Sequence, residues 1–219
     1  MKKNLFALAA LGVALIPALA SAETAELRVI GTIVPGACAP VFTGGGTVDH
    51  GTIFASTLNA DAQTRLPEQT IGLTVTCEAP TQMAITLTDE RAASVVPGLT
   101  TTIAGLNDNF HYGLGASAGG NIGIYALALS GETGDGGAAR RIVSTDNGAT
   151  WAAFGGALAP FATTGRMVSF AAAGGTVPVA FTTVTGNIRV ATTIDAAENL
   201  DLTNDVPLDG LATLEVTYL

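Results

Sequence analysis

After residue 3 the chain contains no lysine. Only 12% of its 219 residues are charged and 5% aromatic, and it has two cysteines, two histidines and one tryptophan. Each scarcity excludes something. Seven arginines and two lysines face 18 acidic residues, so no basic surface exists to neutralise a phosphate backbone, and a nucleic-acid partner is excluded. Two histidines and two cysteines, at no zinc-like spacing, exclude a structural metal site, and no cofactor motif is present. The 27 glycines follow no triplet period, which excludes collagen. A hydrophobic share of 48% is too high for wholesale disorder.

The N-terminus carries the features of an export signal. Lys2 and Lys3 precede an apolar run from Leu5 to Leu15, Pro17 ends it, and Ala20-Ser21-Ala22 fits the small-x-small cleavage rule. The run is shorter than the roughly 18–20 residues that a spanning helix needs. Residues 1–22 are therefore expected to be a cleaved signal peptide and residues 23–219 a single mature domain, exported through the periplasm. In an oxidising compartment Cys38 and Cys77, the only cysteines, are expected to form a disulfide.

The mature region reads as strands. Short runs rich in Val, Ile, Thr and Leu alternate with Gly, Asn, Asp and Pro. Strands are expected over residues 27–34, 47–53, 70–77, 83–87, 123–129, 167–170, 176–184, 186–194 and 211–218. In the third, Ile71, Leu73, Val75 and Cys77 share one face. Residues 56–64 are expected to make a turn or a single helical turn. The Gly-rich stretches 113–123 and 131–137 lack the strand, lysine and helix of a phosphate loop and are expected to be surface loops. About nine strands at this spacing predict an all-β sandwich.

The ends of this strand pattern resemble chaperone–usher fimbrial subunits. An opening Gly31-Thr32-Ile33-Val34 is followed by Ala37-Cys38. Cys77 closes the next long alternating strand, and the chain ends on Leu214-Glu215-Val216-Thr217-Tyr218-Leu219 with a penultimate tyrosine. More narrowly, residues 31–38 and the later Cys77-Glu78-Ala79-Pro80-Thr81 resemble the DUF1120 group of fimbrial-like proteins of Gram-negative bacteria. The resemblance implies an immunoglobulin-like sandwich that lacks its last strand and is completed by a strand from outside. It further implies a fimbrial or cell-surface location and, as partners, a periplasmic chaperone, an outer-membrane usher and other fimbrial subunits. An adhesive subunit would add a host or surface receptor. Leu214, Val216 and Tyr218 would line the groove left by the missing strand. Only residues 23–37 precede Cys38, a short allowance for a donor segment. Either Leu27, Val29, Gly31 and Ile33 form the donor strand, with Gly31 at the close-approach position, or the subunit donates nothing and sits at a fibre tip.

One stretch points elsewhere. Ser144-Thr145-Asp146-Asn147-Gly148-Ala149-Thr150-Trp151 resembles the Asp-box of sialidases. It occurs once, whereas a propeller needs several blades. It is expected to be a hairpin turn organised by Asp146, Gly148 and Trp151. Asp49-His50 and Arg140-Arg141 are neighbours whose side chains diverge on a strand, so neither makes a catalytic pair. No catalytic residue is assigned. The expected function is a structural or adhesive fimbrial subunit. The alternative is a free-standing exported module that binds carbohydrate or another surface ligand, with an enzyme a weak third.

Overall fold

The structure is a computed structural model and describes residues 25–33 and 37–219. The chain divides into two units, Met1–Val34 and Pro35–Leu219. The expected signal peptide and its cleavage site lie outside the described residues.

In the first unit, residues 25–33 have no regular secondary structure. Leu27, Val29, Ile30 and Ile33 are each at least 90% exposed. This corrects the strand expected over 27–34 for its described part, 27–33, which alternates as a strand does but pairs with no neighbour among the described residues, and a pleated ribbon without a ladder is not stable in water.

The second unit is all-β. Its strands are β1 (Cys38–Phe42), β2 (Thr64–Arg65), β3 (Gln69–Thr81), β4 (Met83–Asp89), β5 (Tyr112–Gly113), β6 (Ala116–Ser117) and β7 (Gly120–Asn121). There follow β8 (Gly123–Gly134), β9 (Gly137–Ser144), β10 (Ala152–Ala153), β11 (Met167–Ala172), β12 (Phe181–Ile194) and β13 (Ala212–Tyr218). The helical content of the described residues is one α-turn, Phe161–Thr164, and short 3-10 turns, one of them at Ala55–Thr57 where a turn is expected.

Apart from the small β6–β7 hairpin, the strands form one sheet in the order β1-β3-β12-β8-β9-β11-β4-β13, with β2, β5 and β10 attached to β12, β8 and β9. The sheet curls until its two ends, β1 and β13, come into contact. Its interior holds Leu73, Val75, Ile85, Leu127, Phe170 and Ile188, none more than 7% exposed. Burying each such side chain stabilises the fold by about 1.5–3 kcal/mol. The alternation of β3 puts Leu73, Val75 and Cys77 in this core, whereas the first seven residues of β8 are all buried, on both faces of the strand.

Three further expectations are corrected. Residues 47–53 are a loop, not a strand. Gly51 takes φ +64° and its N–H donates to the Asp49 carboxylate (2.7 Å), an Asx-turn that breaks the ladder. Asp49 and His50 therefore sit on a loop. Residues 176–180 are also loop, and 181–194 form one unbroken strand through Gly186. Finally, residues 131–137 are not a surface loop. Gly134 pairs with Gly137 across Asp135 (φ 49°) and Gly136 (φ 79°), a two-residue hairpin whose both central residues are left-handed.

Candidate functional site

The two ends of the sheet path face one another across a gap, and the gap holds a cavity of about 1080 Å³. Its floor is aliphatic, built from Ile71 of β3, Leu87 of β4, Leu127 of β8 and Ile188 and Val190 of β12. Phe42 of β1 stands on one side and Ala212 and Leu214 of β13 on the other. Two loops, within residues 45–58 and 200–211, complete the walls with Val48, Ile53, Leu58 and Leu208. Among the lining residues Asp49 and Asp205 carry negative charge, and there is no lysine or arginine. His50 on the first loop faces Thr192 of β12 (Nε2 to Oγ1, 3.0 Å), which ties that loop to the floor. Burial pulls the His50 pKa down, against an opposing pull from Asp49.

Both strands that flank the gap are sheet edges, and they differ. On β13, Glu90 N–H donates to the Leu211 carbonyl and Leu219 N–H to the Gln82 carbonyl. Odd-numbered residues therefore bond to β4. The backbone groups of Ala212, Leu214, Val216 and Tyr218 point toward the open edge. Of these residues, Ala212, Leu214 and Val216 pack their side chains on the core. The edge thus offers a ladder and an apolar face together. On β1, Glu78 N–H donates to the Ala37 carbonyl, so Cys38, Pro40 and Phe42 point outward. Pro40 has no N–H to give, and proline on an edge blunts it as a template. The Cys38 N–H donates to the Tyr218 hydroxyl at 3.0 Å, across the end of the gap.

The expected groove residues are thus divided. Leu214 lines the cavity. Val216 lies beyond it against the core, and Tyr218 closes its end. Cys38 and Cys77 are joined by a disulfide at that same end, where β1 begins its register with β3. The expected donor residues Leu27, Val29, Gly31 and Ile33 lie in the other unit, exposed. The first wall loop was read above as a strand, on the apolar spacing of Val48 and Ile53, and nothing in the sequence marked either loop as the wall of a cavity.

The Asp146 turn is formed as a hairpin loop between β9 and β10. Asp146 accepts from the Ser144 hydroxyl (2.6 Å) and from the backbone N–H and hydroxyl of Thr150 (2.9 and 2.5 Å). These bonds hold its carboxyl down to about 2. Asn147 and Gly148 have positive φ, and the Trp151 indole N–H donates to the Gly148 carbonyl at 3.0 Å. The side chains of Ser144, Asp146, Thr150 and Trp151 make these bonds inside their own turn. Arg141 is buried beside Glu132 (3.4 Å), while Arg140 donates to the Gly174 carbonyl, so the two guanidinium groups do not converge. His111 is buried within 3.3 Å of Asp108, a contact that lacks hydrogen-bond alignment.

The family model described as "Protein of unknown function (DUF1120)" matches residues 27–126. "Protein GltF" of Escherichia coli (strain K12) is 32% identical over an alignment of 251 positions that takes in all of this chain and 99% of that protein. The chain belongs to the DUF1120 family. "Uncharacterized protein YhcF" of the same organism is 26% identical over 230 positions, 91% of this chain and 92% of its own length. The DUF1120 match starts at Leu27, so the exposed apolar segment falls inside the family pattern. The match also covers β1, the disulfide, the 45–58 wall and the β3 and β4 floor. The 200–211 wall and β13 lie outside it, in the part that the alignment with GltF reaches.

Proposed function

We propose that this protein is a strand-accepting subunit of a chaperone–usher fimbria, structural or adhesive in role, built as an immunoglobulin-like sandwich without its last strand. The observation that carries the reading is the pairing of two features in one chain. One is an apolar groove beside an unpaired β13 edge. The other is an exposed segment whose side chains alternate as that groove requires. An open edge with an apolar face is an aggregation hazard unless it is filled, and strand addition fills it with ladder hydrogen bonds and side-chain pockets at once. In the proposed cycle a periplasmic chaperone lends the strand first. Residues 27–33 of a neighbouring subunit then replace it, with Leu27, Val29 and Ile33 inward and Gly31 where the backbones come closest. Arg28, on the outward face, suits a rim that carries Asp49 and Asp205. Export through the periplasm to the cell surface, an usher as assembly platform and a receptor for an adhesive subunit belong to the same proposal, and no catalytic role does.

The cavity volume favours one second reading. About 1080 Å³ lies at the top of the range of small-molecule sites, as a free-standing binding module for carbohydrate or a surface ligand would need. Co-expression with a periplasmic chaperone and usher, followed by immunogold microscopy, separates the two. The proposal expects label on surface fibres and a chaperone-bound intermediate. Soluble monomer with neither would favour the binding module.

A further inference from the structure

The gap between β1 and β13 is open at one end only. It is lined by Ala212 and Leu214 but not by Val216 or Tyr218, and where it closes, the Tyr218 hydroxyl accepts the outward N–H of Cys38 at 3.0 Å. This hydrogen bond joins the two ends of the sheet, and their order along the sheet provides no ladder between them. The stretch from Ala212 to Val216 offers a visiting strand about 14 Å of free edge, whereas pairing along the full 7-residue β13 requires about 20 Å. Residues 27–33 are also seven in number. A donor of that length can use all its inward positions only if the closed end opens.

Resting on the strand-accepting reading above, we propose that Tyr218 is a latch: its hydroxyl holds the disulfide end of the groove shut, and residues 27–33 of a second copy displace it when they pair along the whole of β13. The latch bond is intact in the unfilled groove and broken in the filled one. Removing the hydroxyl therefore lowers the barrier to filling without weakening the filled state. A residue that merely supported the groove would do the reverse and speed release.

The test uses the full chain, dilute enough to be monomeric by light scattering, and a synthetic peptide of residues 25–33. Tyr218→Phe keeps the ring and removes the acceptor. Association should quicken about three- to tenfold, the range for one lost hydrogen bond, with dissociation unchanged within about twofold. In the wild-type chain the Tyr218 ring resonances should shift as peptide saturates. Unchanged association, faster dissociation, or a Tyr218 ring that does not respond at saturation overturns the latch. If the peptide binds neither chain, strand acceptance itself fails, and the latch is then read from the Cys38 amide alone. Its hydrogen exchange should quicken in Tyr218→Phe, and equal exchange in both chains overturns it.

Discussion

Replacing Val29 and Ile33 together by serine separates the role of the first unit from the stability of the second. Both side chains are at least 91% exposed in the isolated chain, so their loss removes no packing from the folded body, and its unfolding midpoint should not move. In a neighbour's groove both would be buried. Burial of a Val or Ile side chain is worth about 1.5–3 kcal/mol, so the pair is worth about 3–6 kcal/mol of association. At 1.4 kcal/mol per decade this weakens chain–chain affinity by roughly 10²- to 10⁴-fold. Thermal unfolding of dilute protein measures the first quantity, and multi-angle light scattering over a concentration series measures the second. A lowered midpoint in the monomer would mean that the segment packs on its own body. Unaltered association would mean that it donates to nothing.

Other expectations follow from the second unit. Reduction of Cys38–Cys77, which closes a separation of 39 residues, should cost about 4 kcal/mol in denaturant unfolding by the chain-entropy relation, and thiol titration of the unreduced, denatured chain should find no free thiol. Gly113→Ala should disrupt the fold, because the new Cβ would lie 2.0 Å from the Arg91 carbonyl oxygen; a midpoint within a degree of wild type would contradict this. The Asp146 carboxylate is held down from the ordinary 3.8 to about 2. Its folded pKa lies below the unfolded one, so its contribution is fully present above about pH 4 and is lost as pH falls toward 2. Asp146→Asn should flatten stability against pH in that window, read by acid unfolding, and leave chain–chain association unchanged.

What was legible in the sequence follows from what each segment packs against. β3, β4, β11 and β13 could be read because one face meets the core, or the strand is a short apolar run between turn residues. The segments misread were those whose apolar spacing serves something other than a ladder. Val48 and Ile53 line a cavity from a loop that Gly51 and Asp49 bend, and Leu27, Val29 and Ile33 alternate with no ladder partner among the described residues. The Asp135-Gly136 hairpin was a strong local signal, masked by the glycines around it. The groove itself was not readable. Its lining comes from stretches scattered between residues 42 and 214, and which edges remain unpaired depends on strand order, which periodicity does not encode. The division of labour between Leu214, Val216 and Tyr218 depends on the approach of β1 to β13, a contact between residues 180 positions apart.

The central claim is that the groove takes a strand, and equilibrium unfolding of the full chain against increasing 25–33 peptide tests it most directly. Binding to the folded state alone raises stability by RT ln(1 + [L]/Kd), about 2.7 kcal/mol at 100-fold excess over Kd and about 4.1 at 1,000-fold. The account predicts a chain of low stability alone that gains along this curve, and a much smaller gain with a peptide carrying serine in place of Val29 and Ile33. A chain that is monomeric, unfolds cooperatively at high stability and is unchanged by either peptide would contradict it.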